Sequence, residues 1–237
     1  MRQGGRILAT VLQYLATRLR PGMTTFEVDQ MAAAEIKRHG ATAAFLGHEG
    51  FPNSVCVSVN EQVVHGIPGA RALQDGDLVG LDLGIRFEGL ITDGAVTVAI
   101  GAVDKNAQRL LKITKEALLL GIDQARAGGR VGDISAAIER HLRSGNLGII
   151  KELAGHGVGH ELWEDPHIPN LGMAGTGPAL KPGMTIAIEP MATLGGPGIE
   201  LLEDEWTIQS RDGSLAAQFE HTVLIMPDGP AEILTQV

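Results

Sequence analysis

The chain repeats two of its own segments at nearly the same distance along the sequence. A helix-like segment recurs at an offset of 106 residues, and alignment of Gly76 with Gly183 offsets a strand-like segment by 107. Chance recurrence of helix-then-strand patterns is the simpler interpretation, but a shared offset favours duplication. The repeat therefore predicts a pseudo-two-fold molecule. The matched segments are RPGMTTFEVDQMAAAEIKRHG at 20–40 with RAGGRVGDISAAIERHLRSG at 126–145, and LQDGDLVGLDLG at 73–84 with LKPGMTIAIEPM at 180–191.

Hydrophobic spacing predicts four helices in two pairs. Apolar residues recur at helical spacing over 5–19, and TTFE at 24–27 has the form of a capping box for a second helix that runs to about Gly40. Helical spacing returns over 104–126 and over 132–143. Most of the remainder predicts short strands and glycine-rich turns, including SVCVSVN, DLVGLDLGI and AVTVAI. We therefore expect an α/β (α+β) fold.

Length and composition favour a single domain over 1–237, with pseudo-symmetric halves of about 1–103 and 104–237. The 237 residues are 44% hydrophobic, which is ample for a core. The net charge of 19 − 28 = −9 argues against nucleic-acid and membrane partners, since both favour clustered positive charge. Cys56 is the only cysteine, no apolar run reaches membrane-spanning length, and the N-terminus lacks a signal-peptide layout. We expect a cytoplasmic protein.

Four acidic residues and one histidine lie in distinctive settings, the acidic ones in or beside runs that otherwise predict apolar strands. Burying an ionised carboxylate is costly unless something positive compensates it. An oxygen-rich set with one imidazole suits two divalent ions such as Mn, Fe, Co or Zn, not a thiolate zinc site. The implied chemistry is metal-assisted hydrolysis. These residues are Asp82 in GLDLG, Asp93 in ITDGA, His156 in AGHGVGH, Glu189 in IAIEPM and Glu220 in AQFEHT.

Spacing brings some of these residues together, although each one alone has a simpler interpretation. A predicted hairpin turn between Asp82 and Asp93 would bring the two carboxylates close, and the repeat places Glu189 at the position of Asp82. Taken singly, Asp93 is an ordinary turn residue, and a lone histidine is more often hydrogen-bonded or exposed than a ligand. Glu189 and Glu220, the latter in a predicted terminal strand AAQFEHTVLIM, suit a strand edge or a bulge. Together the residues predict one central site.

Six motifs along the chain together resemble those of the type I methionine aminopeptidases, a branch of the pita-bread metallopeptidases. The resemblance runs from about Arg2 to Gly229, in order and with similar spacing. It implies a pita-bread fold, in which a pseudo-two-fold antiparallel sheet with flanking helices surrounds a central dinuclear metal site. The motifs are NSVCVSVNEQVVHGIPG, DGDLVGLDLGI, the following Asp93, GHGVGH with EDPHIPN, IAIEPM and AQFEHTVL.

The resemblance also implies a role for each residue of the set. Asp82 would bind one of two divalent ions (Co, Mn, Fe or Zn), and His156 with Glu189 would bind the other. Asp93 and Glu220 would bridge the two ions. A bridging hydroxide would attack the first peptide carbonyl, with Glu189 assisting proton transfer as a catalytic residue.

The substrate side carries two departures from the family pattern. His65 in VVHGIP matches a substrate-facing histidine of the family and is a further catalytic candidate. Trp163 stands where the family has a second histidine, seven residues after His156, and its indole can donate a hydrogen bond but cannot accept one. His48 stands where an aromatic residue is common. The substrate-binding residues would be Phe45, His48, Phe51, Cys56, Leu162 and Trp206 around the methionine side chain, with His65 and Trp163 beside them.

These residues favour one function over two alternatives. The leading hypothesis is a dinuclear metallo-aminopeptidase that removes the N-terminal methionine from nascent peptides with small second residues. A proline-directed peptidase of the same fold is one alternative, although such enzymes usually carry an additional N-terminal domain. A catalytically impaired binding protein is the other, because of Trp163. We expect a monomer that binds N-terminal methionine peptides and contacts the ribosome transiently.

Overall fold

Four helices and fifteen strands make up the computed structural model, which describes residues 1–236. The helices are α1 (Arg2–Ala16), α2 (Thr25–Arg38), α3 (Lys105–Gln124) and α4 (Val131–Ser144). The strands before α3 are β1 (Thr42–Ala43), β2 (Cys56–Val59), β3 (Gln62–Val64), β4 (Leu78–Phe87) and β5 (Leu90–Ala99). The strands after α4 are β6 (Gly148–Ile149), β7 (Ala154–Gly157), β8 (Glu164–Pro169), β9 (Thr185–Ile188), β10 (Met191–Thr193), β11 (Ile199–Leu201), β12 (Ile208–Ser210), β13 (Ala216–Gln218), β14 (His221–Leu224) and β15 (Glu232–Ile233).

The four predicted helices are present, and their ends differ from the predictions by a few residues. α1 begins at Arg2 and ends at Ala16, whereas spacing predicts 5–19. Helix ends carry few buried residues, so hydrophobic spacing defines them poorly. α2 opens on the predicted capping box. Thr24 Oγ1 accepts from the Glu27 N–H at 3.2 Å, and Glu27 Oε2 accepts from the Thr24 N–H at 2.7 Å.

A hairpin of two ten-residue strands, β4 and β5, forms the centre of the first half. β4 pairs antiparallel with β5 on one edge and with β1 and β2 on the other. The later strands form a five-stranded sheet in the order β15-β14-β9-β7-β8 and a three-stranded sheet in the order β13-β10-β6. β11, β12 and β3 form a further three-stranded sheet.

The later strands repeat the β4–β5 hairpin in register, with each of its strands split in two. Gly84 pairs with Asp93 in the first hairpin. Met191 pairs with Gln218 at the corresponding place, 107 residues after Gly84 and 125 residues after Asp93. β9 and β10 thus correspond to β4, and β14 and β13 correspond to β5. The second offset is longer because β11 and β12 replace the short turn between β4 and β5. This register confirms the predicted pseudo-two-fold antiparallel fold.

The helical repeats match as closely as the hairpins. α2 and α4 are both 14 residues long, and α4 begins 106 residues after α2. Thr24 forms an isolated β-bridge with Ala72, and Arg130 forms the equivalent bridge with Ala179. Duplication, not chance recurrence, therefore explains the offsets in the sequence.

Two hydrophobic clusters lie between the helices and the hairpins. One packs α1 and α2 against Leu81 and Leu83 of β4, and the other packs α3 and α4 against Ile186 and Ile188 of β9. Successive side chains of a strand point to opposite faces, so the residues between these leave the helices and face inward. The inward faces of the two hairpins form the site. The domain limits predicted from the sequence, including the division near residue 103, stay predictions.

No helix in the part of the chain that the structure describes is long and apolar enough to cross a membrane.

Candidate metal centre

Asp82 and Asp93 lie on the face of the β4–β5 hairpin that points away from α1 and α2. Asp82 pairs with Ala95, two residues beyond Asp93 along β5, so the two carboxylates are diagonal neighbours on one face. The interpretation of Asp93 as a turn residue is wrong, because β5 runs through it. Thr222 holds its backbone: Thr222 Oγ1 accepts from the Asp93 N–H at 2.9 Å and donates to the Asp93 carbonyl at 2.7 Å.

His156, Glu189 and Glu220 approach the same point from the second half. His156 lies in β7, and Glu189 directly follows β9. Glu220 lies between β13 and β14, so the predicted single terminal strand through it is wrong. The chain passes there from one sheet to another, and the Glu220 N–H donates to the Ala95 carbonyl of β5 at 2.9 Å. This contact joins the two halves beside the site.

Glycines on both sides of His156 let the neighbouring strands approach closely. A Cβ on Gly155 would collide with the carbonyl of Ala187, and a Cβ on Gly157 would collide with the carbonyl of Asp165. His156 Nδ1 donates to the Gly157 carbonyl at 2.9 Å. This bond leaves the lone pair of Nε2 free to bind a metal ion.

The structure brings together the residues that the sequence singles out. Ligand atoms of Asp93, His156 and Glu220 all lie within 4.8 Å of one another. His156 Nε2 lies 3.8 Å from Asp93 Oδ2 and 3.8 Å from Glu189 Oε1. The cluster therefore has the size and the donor set of a metal site.

Gln218 connects Asp82 to this cluster. Its Nε2 donates to Asp82 Oδ2 and to Glu189 Oε2, at 3.1 Å in each case. The side chain is buried. Sequence reasoning misses this residue as part of the site. The signal that could have found it is the register of the two hairpins, which places Gln218 where the first hairpin has Asp93.

Burial makes the four carboxyls of the cluster difficult to ionise without a cation. It raises the pKa of Asp82 to about 7. The pKa values of the other three carboxyls are also raised, and repulsion between neighbouring carboxylates adds to the effect of burial. Burial lowers the pKa of His156, which keeps the imidazole neutral. Asp82 Oδ1 and Glu220 Oε1 are buried without a hydrogen-bond partner, and a divalent cation would satisfy both.

The cluster forms the floor of a cavity of about 40 Å³. Aromatic rings form much of its wall: the Phe51 ring lies edge-on to Trp206 at a centroid distance of 5.1 Å and to Phe45 at 6.3 Å. All the predicted substrate-binding residues line this cavity, and their roles stay predictions. They are Phe45, His48, Phe51, Cys56, His65, Leu162, Trp163 and Trp206.

His65 borders the cavity in an uncommon backbone conformation. Its φ of 58° lies in the left-handed region, which a non-glycine residue adopts only where its surroundings hold it there. Burial lowers the pKa of its imidazole to about 4, so the ring is neutral. Such strain is common at functional sites, which agrees with the catalytic role predicted for His65.

A second cavity, of about 300 Å³, opens on the other side of the same residues. Both cavities are lined by His65, His156, Trp163 and Glu189, so they meet at the metal centre. His167 also lines the larger cavity, from the irregular part of β8 that lies opposite His156. No sequence signal predicts this cavity, because its walls come from segments far apart in the chain.

Trp163 lies at the mouth of the small cavity and not in its floor. Its side chain is 43% exposed and packs edge-on against His48, with ring centroids 4.7 Å apart. The departure from the family pattern therefore alters the mouth and leaves the cluster of acidic residues and His156 complete.

Comparison with known proteins agrees with this site. The description of metallopeptidase family M24 matches residues 1–227. Methionine aminopeptidase 1 of Bacillus subtilis is 44% identical over 237 residues, which is 100% of this chain and 95% of the relative. The crystal structure of methionine aminopeptidase from Thermotoga maritima matches with a TM-score of 0.98 at 41% identity, covering 100% of this chain and 95% of that one.

A prolidase from Pyrococcus furiosus also matches, with a TM-score of 0.79 at 22% identity, covering 100% of this chain and 62% of the prolidase. At that identity the match shows the fold alone. The proline-directed alternative thus has no support beyond the shared fold. The chain belongs to metallopeptidase family M24 and, within it, to the methionine aminopeptidases.

Proposed function

We propose that the chain removes the N-terminal methionine from peptides with small second residues, as an aminopeptidase that uses two divalent ions. One observation carries this proposal: four buried carboxyls and one neutral imidazole lie where a small cavity meets a large one. The relatives named methionine aminopeptidase support the choice of substrate.

The residues of the floor fit the ions. The unpartnered Asp82 Oδ1 and Glu220 Oε1 and the free Nε2 of His156 would be ligand atoms, with Asp93 and Glu189 completing the set. Co, Mn, Fe and Zn ions all suit oxygen-rich sites with one imidazole. When bound, two such ions activate a water molecule and stabilise the oxyanion.

The small cavity suits an unbranched apolar side chain such as that of methionine. A water-sized group needs about 10–15 Å³, so the cavity of about 40 Å³ has room for about three such groups. Phe51 and Trp206 present aromatic rings to it, and thioether sulfur makes favourable contacts with such rings. Large or charged side chains would be excluded by size and by the apolar wall.

The larger cavity would receive the rest of the peptide. Because the two cavities meet at Glu189 and His65, the first peptide bond of a bound substrate would lie beside both residues. Burial raises the pKa of Glu189, which suits a group that takes up a proton near neutral pH. The neutral imidazole of His65 can donate one hydrogen bond to the peptide and accept one from it.

Trp163 predicts a slower enzyme, not a binding protein. Its Nε1 can donate one hydrogen bond, but the indole cannot carry the positive charge of a histidine. A chain without catalysis has no evident need for four buried carboxyls whose ionised forms are costly. His167, in the larger cavity, is an additional imidazole on the side of the leaving peptide.

Peptide turnover with and without ions tests the proposal. Protein loaded with Co²⁺ or Mn²⁺ should release methionine from Met-Gly-Met, and chelator-treated protein should not. Elemental analysis should find two ions per chain. Turnover of an Ala-Pro peptide alone would favour the proline-directed alternative. Silence of both the parent protein and a Trp163→His variant, with ions bound, would contradict the proposal.

Location and assembly rest on the sequence alone. The cytoplasmic location, the monomeric state and the transient contact with the ribosome stay predictions.

A further inference from the structure

The duplication relates the two halves of the metal centre, but the halves do not contribute the same ligands. Asp82 of β4 corresponds to Glu189, which follows β9, at the offset of 107 residues. By the register of the two hairpins, Asp93 of β5 corresponds to Gln218 of β13. Gln218 therefore occupies, in the second half, the position of a predicted bridging ligand.

Matched threonines hold the backbones of Asp93 and Gln218. As described above, Thr222 Oγ1 bonds both the N–H and the carbonyl of Asp93. In the same way, Thr97 Oγ1 accepts from the Gln218 N–H at 3.0 Å and donates to the Gln218 carbonyl at 2.7 Å. Thr222 follows Thr97 by the same 125 residues that separate Gln218 from Asp93. Both side chains are thus supported by equivalent backbone contacts.

The two side chains differ in what they offer the cluster. Asp93 carries a carboxylate, which accepts hydrogen bonds, whereas the Gln218 amide donates to Asp82 Oδ2 and to Glu189 Oε2. These bonds occupy one oxygen of each carboxylate. Asp82 Oδ1 is left without a partner, and Glu189 Oε1 is left facing His156 Nε2 at 3.8 Å.

We propose that Gln218 is a positioning residue that holds Asp82 and Glu189 with one oxygen each turned toward the ions. A neutral amide does this without adding a fifth carboxylate to a buried cluster that has four. Groups that bond to metal ligands from outside typically change metal affinity by about 10–100-fold. The inference concerns ion binding and does not depend on which peptide is cleaved.

Calorimetric titration of chelator-treated protein with Co²⁺ tests this role. Gln218→Met keeps the length of the side chain and removes the donor, and it should weaken Co²⁺ binding by about 10–100-fold. The visible absorption spectrum of bound Co²⁺ should also change, because the spectrum reports the coordination geometry. A merely structural role would lower stability and leave the spectrum of the folded protein unchanged. Gln209→Met is the matched control: it removes an amide–carboxylate bond of 2.8 Å to Glu200 on the surface and should alter neither readout.

Gln218→Glu keeps the inference testable if the methionine variant does not fold. It preserves the shape of the side chain and replaces the donor with an acceptor, so the Co²⁺ spectrum should again differ from that of the parent. Parental affinity and a parental spectrum in either folded variant would overturn the inference. A parent protein that binds no Co²⁺ would overturn it together with the metal centre. Normal ion binding without cleavage of Met-Gly-Met would contradict the proposed function alone.

Discussion

The floor and the mouth of the site are built in different ways. In the floor, Asp93 and His156 lie on strands and are tied to neighbouring backbone groups at 2.7–2.9 Å. At the mouth, Trp163 is 43% exposed and rests on His48 through one edge-on ring contact. The chain matches the family pattern in the floor and departs from it at the mouth. A position fixed by many buried contacts tolerates little change, so changes in the floor should abolish ion binding and changes at the mouth should only alter turnover.

The largest effect is expected from loss of a floor ligand. Glu220→Gln removes one negative charge and one ligand atom of the buried cluster. Turnover of Met-Gly-Met should fall by at least about a thousandfold, the upper range for loss of a group that stabilises the transition state. Elemental analysis should find fewer ions per chain. Glu200→Gln, on the exposed part of β11, is the control and should behave as the parent. Parental turnover by Glu220→Gln would remove the distinction between floor and mouth.

Removal of the ions should make stability depend on pH, through the floor alone. Burial raises the pKa of Asp82 from 3.8 to about 7, and the other three carboxyls of the floor shift in the same direction. A group whose pKa is raised by folding stabilises the protein below its unfolded pKa, and this stability is lost as pH rises through the folded pKa. For Asp82 alone the loss is about 4 kcal/mol at most.

The useful range lies above about pH 6.5, because the pKa values of the buried His65 and His156 are lowered and these rings no longer gain or lose protons there. Urea unfolding of chelator-treated protein should show a free energy of unfolding that falls from about pH 6.5 to about pH 8.5. Ion-loaded protein should not show this fall, since ions bind the ionised carboxylates. A flat profile without ions would contradict the electrostatic description of the floor.

A change at the mouth should alter turnover and leave ion binding intact. Trp163→His restores a side chain that can accept a hydrogen bond and carry a positive charge. We expect kcat for Met-Gly-Met to rise by about a hundredfold, the scale of one such hydrogen bond to the transition state. Trp163→Phe, which offers no hydrogen bond, should not rise. A Co²⁺ affinity that changes with Trp163→His would show that floor and mouth are coupled.

The smallest effect is expected from the contact that supports Trp163. His48→Ala removes the edge-on packing of the two rings, and such contacts contribute about 0.5–1.5 kcal/mol. KM for Met-Gly-Met should rise by about 2–10-fold, with ion binding unchanged. An unchanged KM would mean that Trp163 keeps its place without His48.

The sequence predicts most of the fold because the duplication is still visible in it. Its offsets of 106 and 107 place α2 on α4 and the start of β4 on the start of β9. The break before Glu220 is not predictable from local pattern, since AAQFEHTVLIM has the composition of one continuous strand. The break depends on a pairing with Ala95, 125 residues away. Local propensity carries no information about contacts at that distance.

The candidate site shows the same limit. Asp82 was identifiable because a carboxylate within an apolar strand is rare, whereas Asp93 suits a turn as well as a strand. Gln218 gives no local signal, because an uncharged polar residue near a strand end is common. Its place becomes evident only when the two hairpins are aligned by their register. Long-range pairing, and not residue type, defines that part of the site.

Cys56 gives the floor its own probe of local opening. It is the only cysteine of the chain, is buried in β2 and pairs in register with Asp82 of β4. Burial raises the pKa of its thiol, and the nearby carboxylates raise it further, so the reactive thiolate is scarce. An alkylating reagent can reach this sulfur only when β2 separates from β4. The rate of alkylation therefore measures how often the floor opens to solvent, and bound ions should slow it by holding Asp82 in place.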